Sequence, residues 1–336
     1  NGANNQSITN GVGGIIGTAY QTKLNIENIK LSTLSLNNSS MDGNLRVGFG
    51  GIVGSLVASG DGSLSNITME GALQILGTGH ASIGGLIGLL TAAASNTSLF
   101  GISNIQIATE AASSLNQRGY YNGGIVGNMD GKIQLTIGGE SISEDGTKNI
   151  FPVKIGNADT PNVTISKGTN NENGLNGGVL GTTNNNPPAI TIQHLHLAGI
   201  TVNDAALSSL LFASGYGTTA ITLKNSEFIS CKLQQRGQYS GYLLGSSWGK
   251  KVTFDGFNIL LKDCNTNADG IFAGDINNNG SYMHLTAVSL VNCSGGSKDF
   301  YSGNGAYAIR ANYTGVQGYQ CSSSPWLGCN PLSNLN

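Results

Sequence analysis

His194 and His196 alternate in the run QHLHL, a spacing that sets two imidazoles on one face of a strand. Such a pair could begin a metal site, which needs a third ligand. No third donor lies within reach along the sequence, so both read as surface or internally satisfied histidines, and His80 and His284 stand alone. DINNNG at 275–280 copies the opening of a calcium loop, but Thr286 occupies the twelfth position, where a bidentate glutamate is required. A turn is the expectation there. Glycosidic bond cleavage needs two carboxylates gathered as acid and base. The 18 acidic residues are instead dispersed. Glu144–Asp145 sits in SEDGTK, which reads as a turn. The richest charged stretch holds Lys250, Lys251, Asp255, Lys262, Asp263, Asp269 and Asp275, and reads as a solvated edge. No G-x-S-x-G nucleophile elbow is present. The sequence therefore predicts no catalytic residue, no cofactor-binding residue and no metal ligand, and a protein that is not an enzyme.

Composition narrows the partners. Only 10% of the 336 residues are charged, the formal net charge is −2, and Asn, Ser and Thr carry most of the polarity. Nucleic acid is excluded, because phosphate contacts need a basic stripe to displace counterions. No apolar run reaches the length of a membrane-spanning helix, so this segment is not expected to insert in a membrane. The opening residues NGANNQSITN carry no signal-peptide pattern, so the chain reads as a processed or excised segment.

The five cysteines lie in the last third of the chain. Cys321 and Cys329 bracket CSSSPWLGC, a loop that a disulfide could close. Cys231, Cys264 and Cys293 each follow an apolar run at a near-regular interval. That spacing suggests stacked equivalents, either a column of buried thiols or a disulfide between neighbours.

The interval points to the elements that must position everything else. GGIVG stands at 50–54 and again at 123–127, with GGIIG at 13–17, GGLIG at 84–88 and GGVLG at 177–181. GYLLG (241–245), GIFAG (270–274), LLFASG (210–215) and GAYAI (305–309) are weaker echoes. Each is followed by a stretch of alternating apolar and polar residues with β-branched enrichment: LNIENIKL, LSNITM, ISNIQI, KIQLTI, NVTI, AITIQHLHL, AITLKNSEFI, VTFDGFNILL and HLTAVSL. This alternation marks half-buried strands. Helical repeats are excluded by glycine every few positions and by the scarcity of charged residues to clothe a helix. A propeller would carry a recurrent aromatic signature, and Trp248 and Trp326 are the only tryptophans. The prediction is an all-β parallel β-helix of about eight or nine coils of roughly 30–39 residues. It spans 1–310, with a long insertion or extra coil at 128–176 and a capping tail at 311–336. In GGIVG only one aliphatic can face the core if the segment is a regular strand, so the glycines should supply a bend. GVGGIIG at 11–17 imitates a dinucleotide fingerprint, but no helix follows and the pattern recurs too often.

Gly14–Gly17, Gly51–Gly54, Gly85–Gly88, Gly124–Gly127 and Gly178–Gly181 share the pattern G-[ILV]-[ILV]-G. The pattern resembles the GLUG motif, the Gly-Leu-x-Gly repeat of bacterial surface adhesins. It is also similar to the glycine-aliphatic element of chlamydial polymorphic outer-membrane proteins, without their regular F-x-x-N tetrad. The resemblance covers roughly residues 10–310 and implies a secreted solenoid of adhesin or autotransporter-passenger type. The function it implies is display of binding loops at the bacterial cell surface. The partner would be a host-cell glycan or protein receptor, or neighbouring copies in a surface assembly. The alternatives are a subunit of a cell-surface filament and a carbohydrate-active β-helix enzyme. A partial threonine ladder (Thr164, Thr191, Thr222, Thr253) raises an ice-binding face as a further class. Function is expected where the repeat breaks, above all between Gly127 and Gly177, and in the aromatic, Cys-bearing tail from about 296; Tyr120, Tyr121, Tyr301, Tyr307, Tyr313 and Tyr319 offer either sugar or protein contact or packing at the coil edges.

Overall fold

A computed structural model describes residues 10–37, 47–93, 97–168, 174–184, 189–203, 206–215, 217, 219–234, 239–246, 250–267, 272–275, 281–295 and 310–319. Cys321, Cys329, Trp248, Trp326, Asp269, Tyr301, Tyr307, GAYAI and residues 276–280 of DINNNG lie outside the described residues.

The chain is a parallel β-helix. Each rung contributes one short strand in turn to four stacked sheets, and strands of successive rungs pair in parallel. In the second rung these are Gly48–Gly50, Val53–Ala58, Gly62–Met69 and Ala72–Leu76. The four sheets hold seven, eight, eleven and eight strands, counted among the described residues. The third sheet runs on through Arg310–Tyr319, so the ladder continues past residue 310.

The outer and inner sheets bury different faces. Strands of the third and fourth sheets alternate buried and exposed residues, as in Ala72–Leu76 and Ser98–Ile107. Those of the first and second sheets are buried at nearly every position from the second rung onward. A strand buried on both faces must have a layer on each side. Glycine makes this possible. A Cβ on Gly48 would overlap the carbonyl of Gly54, and one on Gly54 would overlap the backbone of Val12. The first and second sheets are thus folded inward and lie backbone to backbone, between the fourth sheet on one side and the third on the other.

The repeated motif is the tip of this infold. Gly50 ends one strand, Val53 begins the next, and Gly51–Ile52 form the bend between them. Both aliphatics are buried, Ile52 and Val53 each at 0% exposure. The bend resolves the one-in, one-out alternation of a regular strand. The glycines serve close approach rather than unusual dihedrals, since none in the five motif copies has positive φ. A Cβ on Gly51 would overlap the carbonyl of Gly85 in the next rung and the side chain of Met69. One carbonyl locks each bend to its neighbour: Leu86 O accepts from both Ile52 N (3.0 Å) and Val53 N (2.9 Å). Ile125 O and Val179 O repeat the arrangement. Three of the weaker echoes occupy the same position, with Phe212, Leu244 and Ala273 in line with Leu180.

The three central cysteines form the predicted column. Cys231, Cys264 and Cys293 are free, buried and in adjacent rungs. Contact with the Cys231 thiol is the main cause that holds Cys264 well above the ordinary thiol range, with burial adding to it. Cys293 is raised by its contact with Cys264 and by burial. All three act as small core residues.

Candidate functional site

The strands of the third sheet are bent by one residue per rung in the left-handed region. These are Asn28 (φ 60°), Asn66 (54°), Asn104 (51°), His194 (53°), Asn225 (49°), Asn258 (53°), Ala287 (55°) and Gly315 (62°). Asparagine tolerates this conformation better than other residues with a Cβ. Its amide also bonds along the stack. Asn66 Nδ2 donates to Asn28 Oδ1 (3.2 Å), Asn104 Nδ2 to Asn66 Oδ1 (2.6 Å), and Asn258 Nδ2 to Asn225 Oδ1 (2.9 Å).

The row is broken once. Between Ile137 and Val153 stand residues 138–152, where the preceding rung has only Ser103 and Asn104 between Ile102 and Ile105. The inserted residues form an antiparallel hairpin of Gly139–Ile142 and Lys148–Phe151. The expected turn in SEDGTK is its tip. Ser143 N donates to Thr147 O (2.8 Å), Gly146 has φ 82°, and Asp145 Oδ1 accepts from Thr147 N (2.9 Å). That backbone bond, followed by one from the Thr147 hydroxyl, lowers the Asp145 pKa. Both ends of the hairpin rejoin the ladder, with Gly138 N donating to Ile102 O (2.7 Å) and Ile105 N to Pro152 O (3.0 Å).

The hairpin therefore lies in the segment between Gly127 and Gly177 where function was sought. The same segment also holds ordinary strands of the rung, Ile133–Ile137, Val153–Ile155 and Val163–Lys167. It leaves Ile142 75%, Ile150 50% and Phe151 38% exposed. Where it meets the sheet lies a cleft of about 320 Å³ lined by Ile150, Pro152, Lys154, His194, His196 and Glu227, among others.

The two histidines of QHLHL both line this cleft, but each takes its own carboxylate. His194 Nε2 lies 2.7 Å from Glu140 Oε2, which also receives Lys148 Nζ at 2.8 Å. His196 Nδ1 lies 3.2 Å from Glu227 Oε2. Lys148 first, and then His194, hold the Glu140 carboxyl below its ordinary value. His194 thus takes the place of the ladder asparagine in the rung that follows the hairpin, and its side chain reaches back to Glu140 of the hairpin. Among the described residues no three His, Cys, Asp or Glu side chains converge on a point that could hold a metal ion.

The remaining candidates are placed as follows. Thr191 and Thr222 are in register and extend to Thr136. Thr253, however, pairs with Ala220, and Thr164 belongs to the fourth sheet beside Asn116 and Thr201. The expected threonine ladder is therefore not one column. Of the dispersed charges, Asp263 Oδ1 accepts from Asn292 Nδ2 (2.6 Å) at the corner into the fourth sheet. Asp255 joins Tyr282 and His284. Tyr120 lies between His80 and Tyr121, with centroids at 4.8 and 4.5 Å, and burial raises its phenol pKa. Neither the Asp255 group nor the position of the hairpin at a kink follows from local sequence. Aligning the rungs by their glycine corners would have revealed the first.

Comparison with protein-family models, with curated proteins and with solved structures returned no match. The chemistry of these surfaces rests on their geometry.

Proposed function

We propose that this chain is an extracellular bacterial surface scaffold of the adhesin or autotransporter-passenger kind. In this reading the stacked rungs serve as a rigid rod and the hairpin Gly139–Phe151 is the receptor-contact element. The observation that carries it is the hairpin itself. At the one break in the kink row the chain leaves the sheet and holds three large apolar side chains in solvent. Apolar groups displayed on a rigid, ion-paired support are the usual anchors of a protein interface. Glu140, bonded to both Lys148 and His194, fixes the angle at which the hairpin stands.

The test is to replace residues 138–152 by Ser-Asn, copying the preceding rung, and to screen both proteins against host matrix proteins. The excised chain is expected to keep its far-ultraviolet spectrum and its thermal midpoint within ~5 °C, and to lose the receptor. Full receptor binding by the excised chain would sink the proposal. The double substitution Ile142→Asp, Phe151→Asp should reproduce the loss without shortening the chain.

A further inference from the structure

On the outer face of the third sheet three strands lie side by side: Thr219–Ile229, whose far end lines the hairpin cleft through Asn225 and Glu227, Val252–Lys262 and Tyr282–Val291. Their register places Ala220, Thr253 and Tyr282 in one outward column, and Thr222, Asp255 and His284 in the next. Lys224, Phe257 and Thr286 form the third. The centre of this patch is organised. Tyr282 Oη donates to Asp255 Oδ2 (3.1 Å), and His284 Nδ1 lies 3.4 Å from Asp255 Oδ1. The rings of Tyr282 and His284 are stacked, with centroids 4.4 Å apart and planes at 26°. Burial, and then the Asp255 carboxylate, raise the Tyr282 pKa and keep its phenol a donor. Phe257 stands alongside, 50% exposed, between Lys224 and Thr286 in its column.

This combination selects a ligand. The exposed ring of Phe257 seeks an apolar face to cover it. A carboxylate offers about four lone-pair positions, and the two described partners leave Asp255 with capacity facing solvent. The ligand must therefore present hydrogen-bond donors next to an apolar face. A polynucleotide is disfavoured, because Asp255 repels phosphate and the scattered lysines here form no basic groove. A peptide adding a strand has no free edge here, since the strand Val252–Lys262 is paired on both sides. A pyranose ring meets both demands, with C–H groups on its faces and hydroxyl donors around its rim. The threonine hydroxyls at 222, 253 and 286 extend the polar border across rungs about 4.8 Å apart.

We propose that this face is a binding site for a neutral saccharide chain. Phe257 is the stacking platform, Asp255 accepts sugar hydroxyls, and Tyr282 and His284 are positioning residues that orient the carboxylate. The site does not depend on the hairpin, so the two can fail separately.

The experiment is a screen of the intact chain on an array of neutral oligosaccharides, followed by calorimetric titration of the strongest binder. Phe257→Ala and Asp255→Asn are each expected to weaken binding by ~10-fold or more, a loss of about 1.4 kcal/mol. Phe257→Trp should retain it, and excision of the hairpin should leave it unchanged. Thermal unfolding of each variant establishes that the rungs are intact. No binding to any neutral saccharide overturns the proposal, as does binding unaffected by both substitutions. Loss on hairpin excision alone would move the ligand to the cleft and also overturn it.

Discussion

The glycine seam and the kink row both recur in rung after rung, and they treat added atoms in opposite ways. In the seam, backbone lies against backbone, and a single methyl on Gly48, Gly51, Gly54 or Gly85 would overlap a neighbouring main-chain atom. In the kink row the side chains face outward and the third sheet admits the whole of residues 138–152 with its ladder rejoined on both sides. The difference is one of available volume. The seam lies in the interior, where density leaves no relaxation. At the kinks solvent takes up whatever is displaced. Architecture and display are thus assigned to different columns of the same repeat.

The contrast can be broken most forcefully from the seam side. Gly85→Ala, which sets a methyl against the Gly124 carbonyl, should cost at least ~3 kcal/mol, because overpacking between backbones has no rotamer escape. Denaturant titration measures it, and a cost below that of a surface substitution would refute the infolded arrangement.

A smaller effect is expected from the kink row. Asn66→Ala combines left-handed strain with loss of the bonds to Asn28 and Asn104, and should cost about 2 kcal/mol. Asn66→Gly removes the bonds but relieves the strain, and should cost about half as much. Equal costs would show that the amide ladder, not the backbone, dominates.

The smallest effect is the most local. The Glu140 pKa is lowered in the folded protein, chiefly by Lys148 and then His194. Its contribution is therefore complete above the ordinary glutamate value and disappears as pH falls through the lowered one. Acidification across that window should loosen the hairpin, seen as faster amide exchange at Gly139–Ile142, while the rungs hold. Glu140→Gln should abolish that step. A pH-independent hairpin in the native chain would contradict the latch.

Much of the fold was legible because the repeat writes it out several times. The glycine corners, the strands of the third sheet and the thiol column all announce themselves by spacing. The fourth sheet was harder to read. Its strands Leu34–Asn37, Ala72–Leu76 and Ser114–Gly119 are short, and Gln117 occupies a position where Ile75 and Ile165 make the alternation clear. The infold was hidden for a different reason. Whether Ile52 and Val53 share a side depends on a bend that local pattern cannot express. NVTI was readable as a strand but not as a member of the fourth sheet, since that depends on counting corners through the hairpin. Surface groups fared worst. Asp255, Phe257, Tyr282 and His284 become neighbours only through register, and each alone resembles ordinary solvated surface.

The kink row also has a meaning for construction. A hairpin that leaves and re-enters with the ladder intact shows that the bend works as a socket, and the same bend recurs at Asn66, Asn225 and Asn258. The third sheet is then a rail of equivalent mounting points at rung spacing. Moving residues 138–152 from one socket to another would shift the displayed loop along the rod in fixed steps, turning a single protein into a ruler.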